Sequence, residues 1–222
     1  MNKIKSIFIA NRGEIAVRII KTARVMGIRA VTAYTLNDKK SLHIQMADKV
    51  VCLDINILND TFLSPERMVA VAKEENCDAI HPGYGFLSED YRFAELCKKY
   101  GLIFIGPTPD VLKTMGIKTE AKKLVELARV PVLSGLERET EELIKYAKDL
   151  NYPLTVKAVA GGGGKGLRKV LKADELKKEV NQASREALNY FGDGRVYIEP
   201  FLENTRHIEV QLLGDQYGNL IH

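Results

Sequence analysis

Apolar positions along this chain change their period repeatedly, and the changes mark out alternating strands and helices. Residues 4–10 alternate weakly and are rich in Ile and Phe, which predicts a strand. Ile15, Ile19, Ala23 and Met26 then recur at helical spacing and stop at Gly27. Arg29–Tyr34 reads as the next strand, so the chain opens with a strand–helix–strand unit whose crossover should be right-handed. Val50–Leu53 and Asp78–Ile80 read as further strands, separated by a helix over Ser64–Asn76 with Ser64 as N-cap and Pro65 at its first position. A helix capped by Ser88 and ending near Tyr100, then a strand over Leu102–Ile105, complete the alternation. Such regular alternation predicts the α/β class, with a doubly wound parallel sheet over residues 1–115. Gly106-Pro107-Thr108-Pro109-Asp110 interrupts the pattern, and a second domain is expected over residues 116–222.

The second half has a different rhythm. Helices are expected over Val111–Met115 and Thr119–Arg129 with Lys118 between them, a strand and turn over Pro131–Gly135, and a helix over Thr140–Leu150. Two extended runs, Tyr152–Val156 and Leu167–Leu171, flank a glycine-rich stretch, and a helix from Asp174 to Asn189 follows. Val196–Ile198 reads as a buried strand leading into Glu199-Pro200-Phe201-Leu202. Arg206–Leu212 alternates cleanly, with His207, Glu209 and Gln211 on one face and Ile208, Val210 and Leu212 on the other, so a final strand with one packed face is expected. Gly214–Gly218 should turn it into an antiparallel partner over Asn219–His222, leaving an open edge that expects neighbours from elsewhere.

Composition changes this picture little. With 222 residues, 45% hydrophobic and 28% charged, the chain can bury one large core or two modest ones. The net charge of +4 comes from lysines and arginines scattered over amphipathic segments, so neither nucleic acid nor a membrane surface is implied as a partner. Cys52, Cys77 and Cys97 are odd in number and lack C-x-x-C spacing, which predicts buried thiols rather than disulfides or a zinc site. Ile7-Phe8-Ile9-Ala10 is too short for a signal peptide, and a cytoplasmic protein is expected.

Chemistry concentrates at Lys157-Ala158-Val159-Ala160-Gly161-Gly162-Gly163-Gly164-Lys165-Gly166. Glycines let backbone N–H groups approach an anion, and the two lysines add charge suited to phosphate oxygens. Gly161, Gly163 and Gly166 satisfy the dinucleotide-binding spacing, but that motif needs a helix directly after it, and residues 167–171 read as extended. A P-loop needs Ser or Thr after its lysine, and the catalytic signatures of protein kinases are missing. The remaining readings are a phosphate lid between two strands or a mobile linker. The Glu199–Leu202 junction could present backbone groups to a purine edge. Asn11-Arg12-Gly13-Glu14 follows the first strand, where open α/β sheets place ligands, or else forms a βα turn with Asn11 capping the helix and Glu14 favouring its positive end. His81 is either a ligand contact or a structural hydrogen-bonder.

Ile9–Ala16, His81–Glu89, Ile103–Pro107, the Gly161–Gly166 stretch and Glu203–Gln211 together, and in this order, resemble the biotin carboxylase component of acetyl-CoA, propionyl-CoA and pyruvate carboxylases. The resemblance implies a pre-ATP-grasp domain followed by the first part of an ATP-grasp domain. It implies ATP-dependent carboxylation of biotin with bicarbonate through carboxyphosphate, the biotin being carried on a carboxyl carrier domain or protein and passed to a carboxyltransferase component. By position, Lys118 and Lys157 would contact ATP phosphates under the Gly163–Gly164 backbone. Glu199, Pro200, Phe201 and Leu202 would hold adenine, and His207 would lie at the ribose–phosphate side. Ile117 and Thr205 depart from the family's usual Asp and Pro, and Pro200 replaces a frequent Lys while keeping the carbonyl. Catalytic residues and the Mg2+ ligands are expected beyond His222, so the chain alone should not carboxylate biotin. A second copy of the chain is a further expected partner. Another ATP-grasp carboxylate or carbamoyl ligase, and a non-catalytic fragment acting through its open edge, are the alternatives.

Overall fold

The computed structural model describes residues 4–53, 61–160, 166–215 and 217–222. The chain divides into two compact units, Met1–Leu124 and Val125–His222. In the first, β1 (Ser6–Ile9), α1 (Gly13–Val25), β2 (Arg29–Tyr34), α2 (Leu42–Met46), β3 (Lys49–Cys52), α3 (Pro65–Glu74), β4 (Ala79–His81), α4 (Tyr91–Lys99), β5 (Ile103–Phe104) and α5 (Pro109–Gly116) alternate, as expected except for the short helix α2, which the sequence pattern did not mark. Helix α6 (Lys118–Leu127) then runs across the division between the units.

The five strands form one sheet in the order β3-β2-β1-β4-β5, with every pairing parallel. Strand β1 shows why both faces must be covered. Ile7 and Ile9 point into a core with Ile15, Ile19 and Ile20 of α1. Phe8 points the other way, into a core with Met68 and Val71 of α3 and Phe93 and Cys97 of α4. A strand apolar on both sides belongs in the middle of a doubly wound sheet. Ser64 caps α3 as expected, its hydroxyl accepting from the Arg67 N–H at 3.2 Å. The fourth helix is different. Ser88 lies in the turn Gly85–Ser88, and the cap is Asp90, whose carboxylate accepts from the Arg92 N–H at 2.9 Å. Ionised Asp is the stronger acceptor for a helix's first free donors, so the helix starts at Tyr91.

Cys77 and Cys97 are the expected buried thiols, pushed up by burial to about 11 and about 12 respectively. Cys52 corrects the expectation: it ends β3 and is exposed. His43 on α2 is fully buried, and neither ring nitrogen closes a hydrogen bond among the described residues. Burial holds its pKa below the ordinary 6.5, aided by Arg12 and opposed by the Ala33 backbone and Asp38. The folded state therefore prefers the neutral ring. Stability should be level above pH 6.5 and fall as pH drops below it, because the unfolded chain binds the proton more readily. Denaturant melts across this range should show a shallower acid slope in His43→Leu, and an identical slope would count against a penalty at this ring.

The second unit contains β6 (Leu136–Glu137), α7 (Thr140–Ala147), β7 (Leu154–Ala158), β8 (Arg168–Val170), α8 (Ala173–Phe191), β9 (Val196–Pro200) and a hairpin of β10 (Leu213–Gly214) with β11 (Leu220–Ile221). The four-stranded sheet has the order β6-β9-β7-β8 and is antiparallel throughout. Leu143 and Ala147 of α7 and Leu176, Val180 and Ala183 of α8 pack on Leu154, Val156, Val170, Val196 and Ile198.

Two expected strands differ. Pro131–Gly135 has no ladder; pairing to β9 begins only at Leu136, opposite Ile198. Arg206–Leu212 is not a strand, and Ile208, Val210 and Leu212 are exposed rather than packed. Alternation describes what a strand would bury, but a strand also needs a partner for its N–H and C=O groups. No described segment supplies one. The turn after Gly214 does bring Leu220 and Ile221 back antiparallel, as expected.

Candidate functional site

Register divides the sheet of the second unit into an apolar and a polar face. Leu154, Val156 and Ala158 of β7 are buried on the side of α7 and α8, so Thr155 and Lys157 face the other way. Thr155 lies opposite Lys169 on β8 and Glu199 on β9, and Lys157 opposite Tyr197. The polar face thus gathers Thr155, Lys157, Lys169, Tyr197 and Glu199. The Lys157 ammonium donates diagonally to the Glu199 carboxylate, which is only 3% exposed. Burial, and then Glu199, push the Tyr197 phenol up to about 12, so it stays protonated. Lys169 leans outward: its Nζ sits 3.8 Å from the centre of the Phe201 ring and 3.6 Å from the Glu203 carboxylate. On the opposite face Arg168 ties β8 to α8, pairing with Glu179 at 3.1 Å and with Glu186.

The backbone at the end of β9 carries a second kind of information. Val159 N–H donates to the Arg195 carbonyl and Phe201 N–H to the Pro153 carbonyl, each at 3.0 Å. These bonds place Thr155/Glu199 and Lys157/Tyr197 in hydrogen-bonded register, and Val156/Ile198 and Leu154/Pro200 in the alternating non-bonded register. The Pro200 carbonyl therefore turns away from β7. Among the described residues, strand β6 pairs with Tyr197 and Ile198 and ends before reaching that carbonyl. Proline has no N–H to offer the ladder, and its place at the end of β9 costs nothing there.

Of the residues singled out in the sequence, Lys157 and Glu199 are in direct contact, and Phe201 adjoins them on the linker. Leu202 follows it and is half exposed. Gly163 and Gly164 lie outside the described residues. Gly166, just after them, has φ +68, and a Cβ there would meet the Ala158 Cβ at 3.0 Å, so both conformation and space favour glycine. Lys118 begins α6 and belongs to the first unit. His207 is largely exposed, its Nε2 lying 3.2 Å from Glu209, on the segment that was expected to be a strand. Lys169 was missed, although Leu167–Leu171 read as a strand already put Lys169 on the face opposite Arg168 and Val170.

A second polar cluster lies in the first unit at the carboxyl ends of β1 and β4, where the strand order reverses. Asn11 does not cap α1: Arg12 is the N-cap residue and makes no side-chain cap. The buried Asn11 amide instead donates to the carbonyls of Pro82 at 2.7 Å and Tyr84 at 2.8 Å, bridging the two loops. A buried acceptor at Pro82 together with a part-buried one at Tyr84 is a stronger demand than one helix donor that water can reach. The Tyr84 hydroxyl donates to Glu14, and Arg12 pairs with Asp38 at 3.0 Å. His81 Nδ1 accepts from the Gly83 N–H at 3.1 Å, a structural bond, and burial with Arg18 lowers its pKa.

Among the described residues no group of three or more His, Cys, Asp or Glu side chains could hold a metal ion. No described helix is long and apolar enough to cross a membrane.

Residues 3–112 match the family model of the biotin carboxylase N-terminal domain, and residues 118–222 that of the carbamoyl-phosphate synthase L chain ATP-binding domain. The chain is 45% identical to biotin carboxylase 1 of Bacillus subtilis, covering 99% of this chain and 49% of that protein. It is 42% identical to the mitochondrial methylcrotonoyl-CoA carboxylase subunit alpha of Rattus norvegicus, covering 99% of this chain and 31% of the relative. Among solved structures, the biotin carboxylase domain dimer of Hydrogenobacter thermophilus 2-oxoglutarate carboxylase, in complex with MgADP, ADP and bicarbonate, superposes with a TM-score of 0.94 at 42% identity, covering 100% of this chain and 49% of that one. A Campylobacter jejuni biotin carboxylase–β-γ-ATP complex gives a TM-score of 0.92 at 43% identity, with 99% and 50% covered. The chain spans about half the length of the Bacillus subtilis relative.

Proposed function

The chain belongs to the biotin carboxylase family, and from that membership we propose that it supplies the first domain and the nucleotide-holding part of an ATP-dependent biotin carboxylase. The observation that carries this reading is the polar face of β7 and β9, where Lys157 and Glu199 lie beside a linker whose Pro200 carbonyl faces outward. An outward carbonyl accepts a hydrogen bond from the exocyclic amine of adenine. Lys157, once drawn from Glu199, neutralises phosphate charge, and Lys118 and the backbone of Gly163 and Gly164 share that task. Phe201 and Leu202 cover the base, and His207 addresses the ribose–phosphate side. Phosphoryl transfer depends mostly on such positioning and charge neutralisation.

The proposed overall reaction joins bicarbonate to biotin at the expense of ATP, through carboxyphosphate. Residues acting on bicarbonate and biotin, and the Mg2+ ligands, are assigned outside residues 1–222; the chain by itself is expected to be inactive. Its Glu199 carboxylate is already paired with Lys157, which agrees with placing the metal elsewhere. Proposed partners are a biotin carboxyl carrier, a carboxyltransferase component and a second copy of the chain. A functional boundary between residues 115 and 116 and a cytoplasmic location belong to the same reading.

Calorimetric titration with Mg-ATP and Mg-GTP tests it. The chain should bind ATP, and GTP roughly tenfold or more weakly, because the guanine carbonyl would oppose that of Pro200 rather than donate to it. Equal affinity for the two, or heat from neither with a folded chain, would remove the support.

A further inference from the structure

Two lysines share the polar face of the second unit, and their partners separate them. Lys157 meets Glu199, before Pro200, whereas Lys169 meets the Phe201 ring and Glu203, after it. Pro200 therefore sits between two fixed points, and the Phe201 N–H bond to Pro153 adds a third. We infer that Lys169 is a positioning residue that clamps the linker after β9, holding the backbone around Pro200 and Leu202 in the conformation that receives the nucleotide base. The inference rests on the proposed nucleotide role of this face.

The geometry follows from register. Lys169 lies opposite Thr155, and Thr155 opposite Glu199, so all three occupy one row across β8, β7 and β9. Phe201, two residues beyond Glu199, continues the same face, and a lysine stem is long enough to reach it diagonally across β7. The ion pair with Glu203 contributes little alone, since the Glu203 side chain is 65% exposed. The ring contact is different. At 3.8 Å from the centroid the ammonium is well inside the range in which an aromatic face attracts a cation, and the lysine stem shields one side of the ring. Lys169 also has a plain alternative role, a direct contact with phosphate oxygens, and the two roles differ in what they require of the ligand. A clamp on the base-binding linker acts only on ligands that carry a base. A phosphate contact acts on any polyphosphate.

Lys169→Ala and Lys169→Arg in this chain, each titrated with ATP and with inorganic tripolyphosphate, separate them. The clamp predicts that Lys169→Ala weakens ATP roughly two- to fivefold, the range expected for loss of one exposed cation–ring contact. It predicts unchanged tripolyphosphate affinity, and ATP affinity restored in Lys169→Arg, which keeps both charge and ring contact. Equal loss for both ligands, or no loss for ATP, overturns it. Hydrogen exchange at the Phe201 amide without nucleotide provides the independent readout, because that N–H closes the last bond of the β7–β9 ladder. Faster exchange in Lys169→Ala than in the parent or Lys169→Arg supports the clamp, and an unchanged rate overturns it. Should the parent chain bind no ATP, the nucleotide reading fails, and the exchange rate still decides whether Lys169 holds the linker.

Discussion

Lys157→Ala should cost the second unit both stability and nucleotide affinity, and the two losses have separate causes. The stability loss comes from Glu199. Its carboxylate is 3% exposed, and removing the ammonium leaves a buried charge beside the equally buried Tyr197. Breaking a fully buried pair costs about 3–5 kcal/mol; with the Lys157 side chain still 30% exposed, water reaches the site and about 2–3 kcal/mol is the better expectation. The affinity loss comes from the missing charge opposite phosphate, and charge-assisted hydrogen bonds of this kind correspond to roughly 30- to 100-fold. The double variant Lys157→Met with Glu199→Gln separates the two. It removes the unpaired carboxylate, so its denaturant midpoint should recover most of the way to the parent. ATP affinity should stay low. If Lys157→Ala melts like the parent, the pair is solvent-screened and contributes nothing; if the double variant regains ATP affinity, Lys157 is not a phosphate ligand.

The elements that sequence periodicity located well are those whose neighbours lie within the same unit. Strand β2 was expected at Arg29–Tyr34 and is found there, because β1 and β3 bond it on both sides and the turn at Gly27 fixes its start. Arg206–Leu212 had an equally regular pattern and is not a strand, since a pattern of side chains says nothing about where the backbone bonds go. The same limit governed the site. Lys157 and Glu199 were legible as residue types, but their contact depends on the pairing of β7 with β9 across 42 residues. The capping alternative for Asn11 fails because its two acceptors lie at Pro82 and Tyr84, more than 70 residues away. Lys169 carried a local signal, its parity on β8, yet the parity has a function only once Phe201 is known to share that face.

Gly83→Ala tests the other long-range contact and should unsettle the first unit. Gly83 has φ +69, a region where any Cβ is strained, and a Cβ built there would lie 2.8 Å from the Asn11 Nδ2 and 3.1 Å from its Cβ and Cγ. A flexible side-chain tip could swing away at small cost. The Asn11 amide cannot, because both its hydrogens are committed to the carbonyls of Pro82 and Tyr84. Moving it leaves those acceptors unpaired where β1 and β4 end, at about 1–3 kcal/mol for the buried Pro82 carbonyl and little for the part-buried Tyr84 carbonyl, which water can reach. Backbone strain adds about 1 kcal/mol or more, so a total loss of about 2–4 kcal/mol is expected. Asn11→Ala alone should be destabilising through the same two carbonyls. Combined with Gly83→Ala, it should cost clearly less than the sum of the single changes, since the clash and the lost bonds share one side chain. A double-mutant cycle by denaturant melts reads this directly, and strictly additive values would mean that the Asn11 bridge does not hold the two loops together.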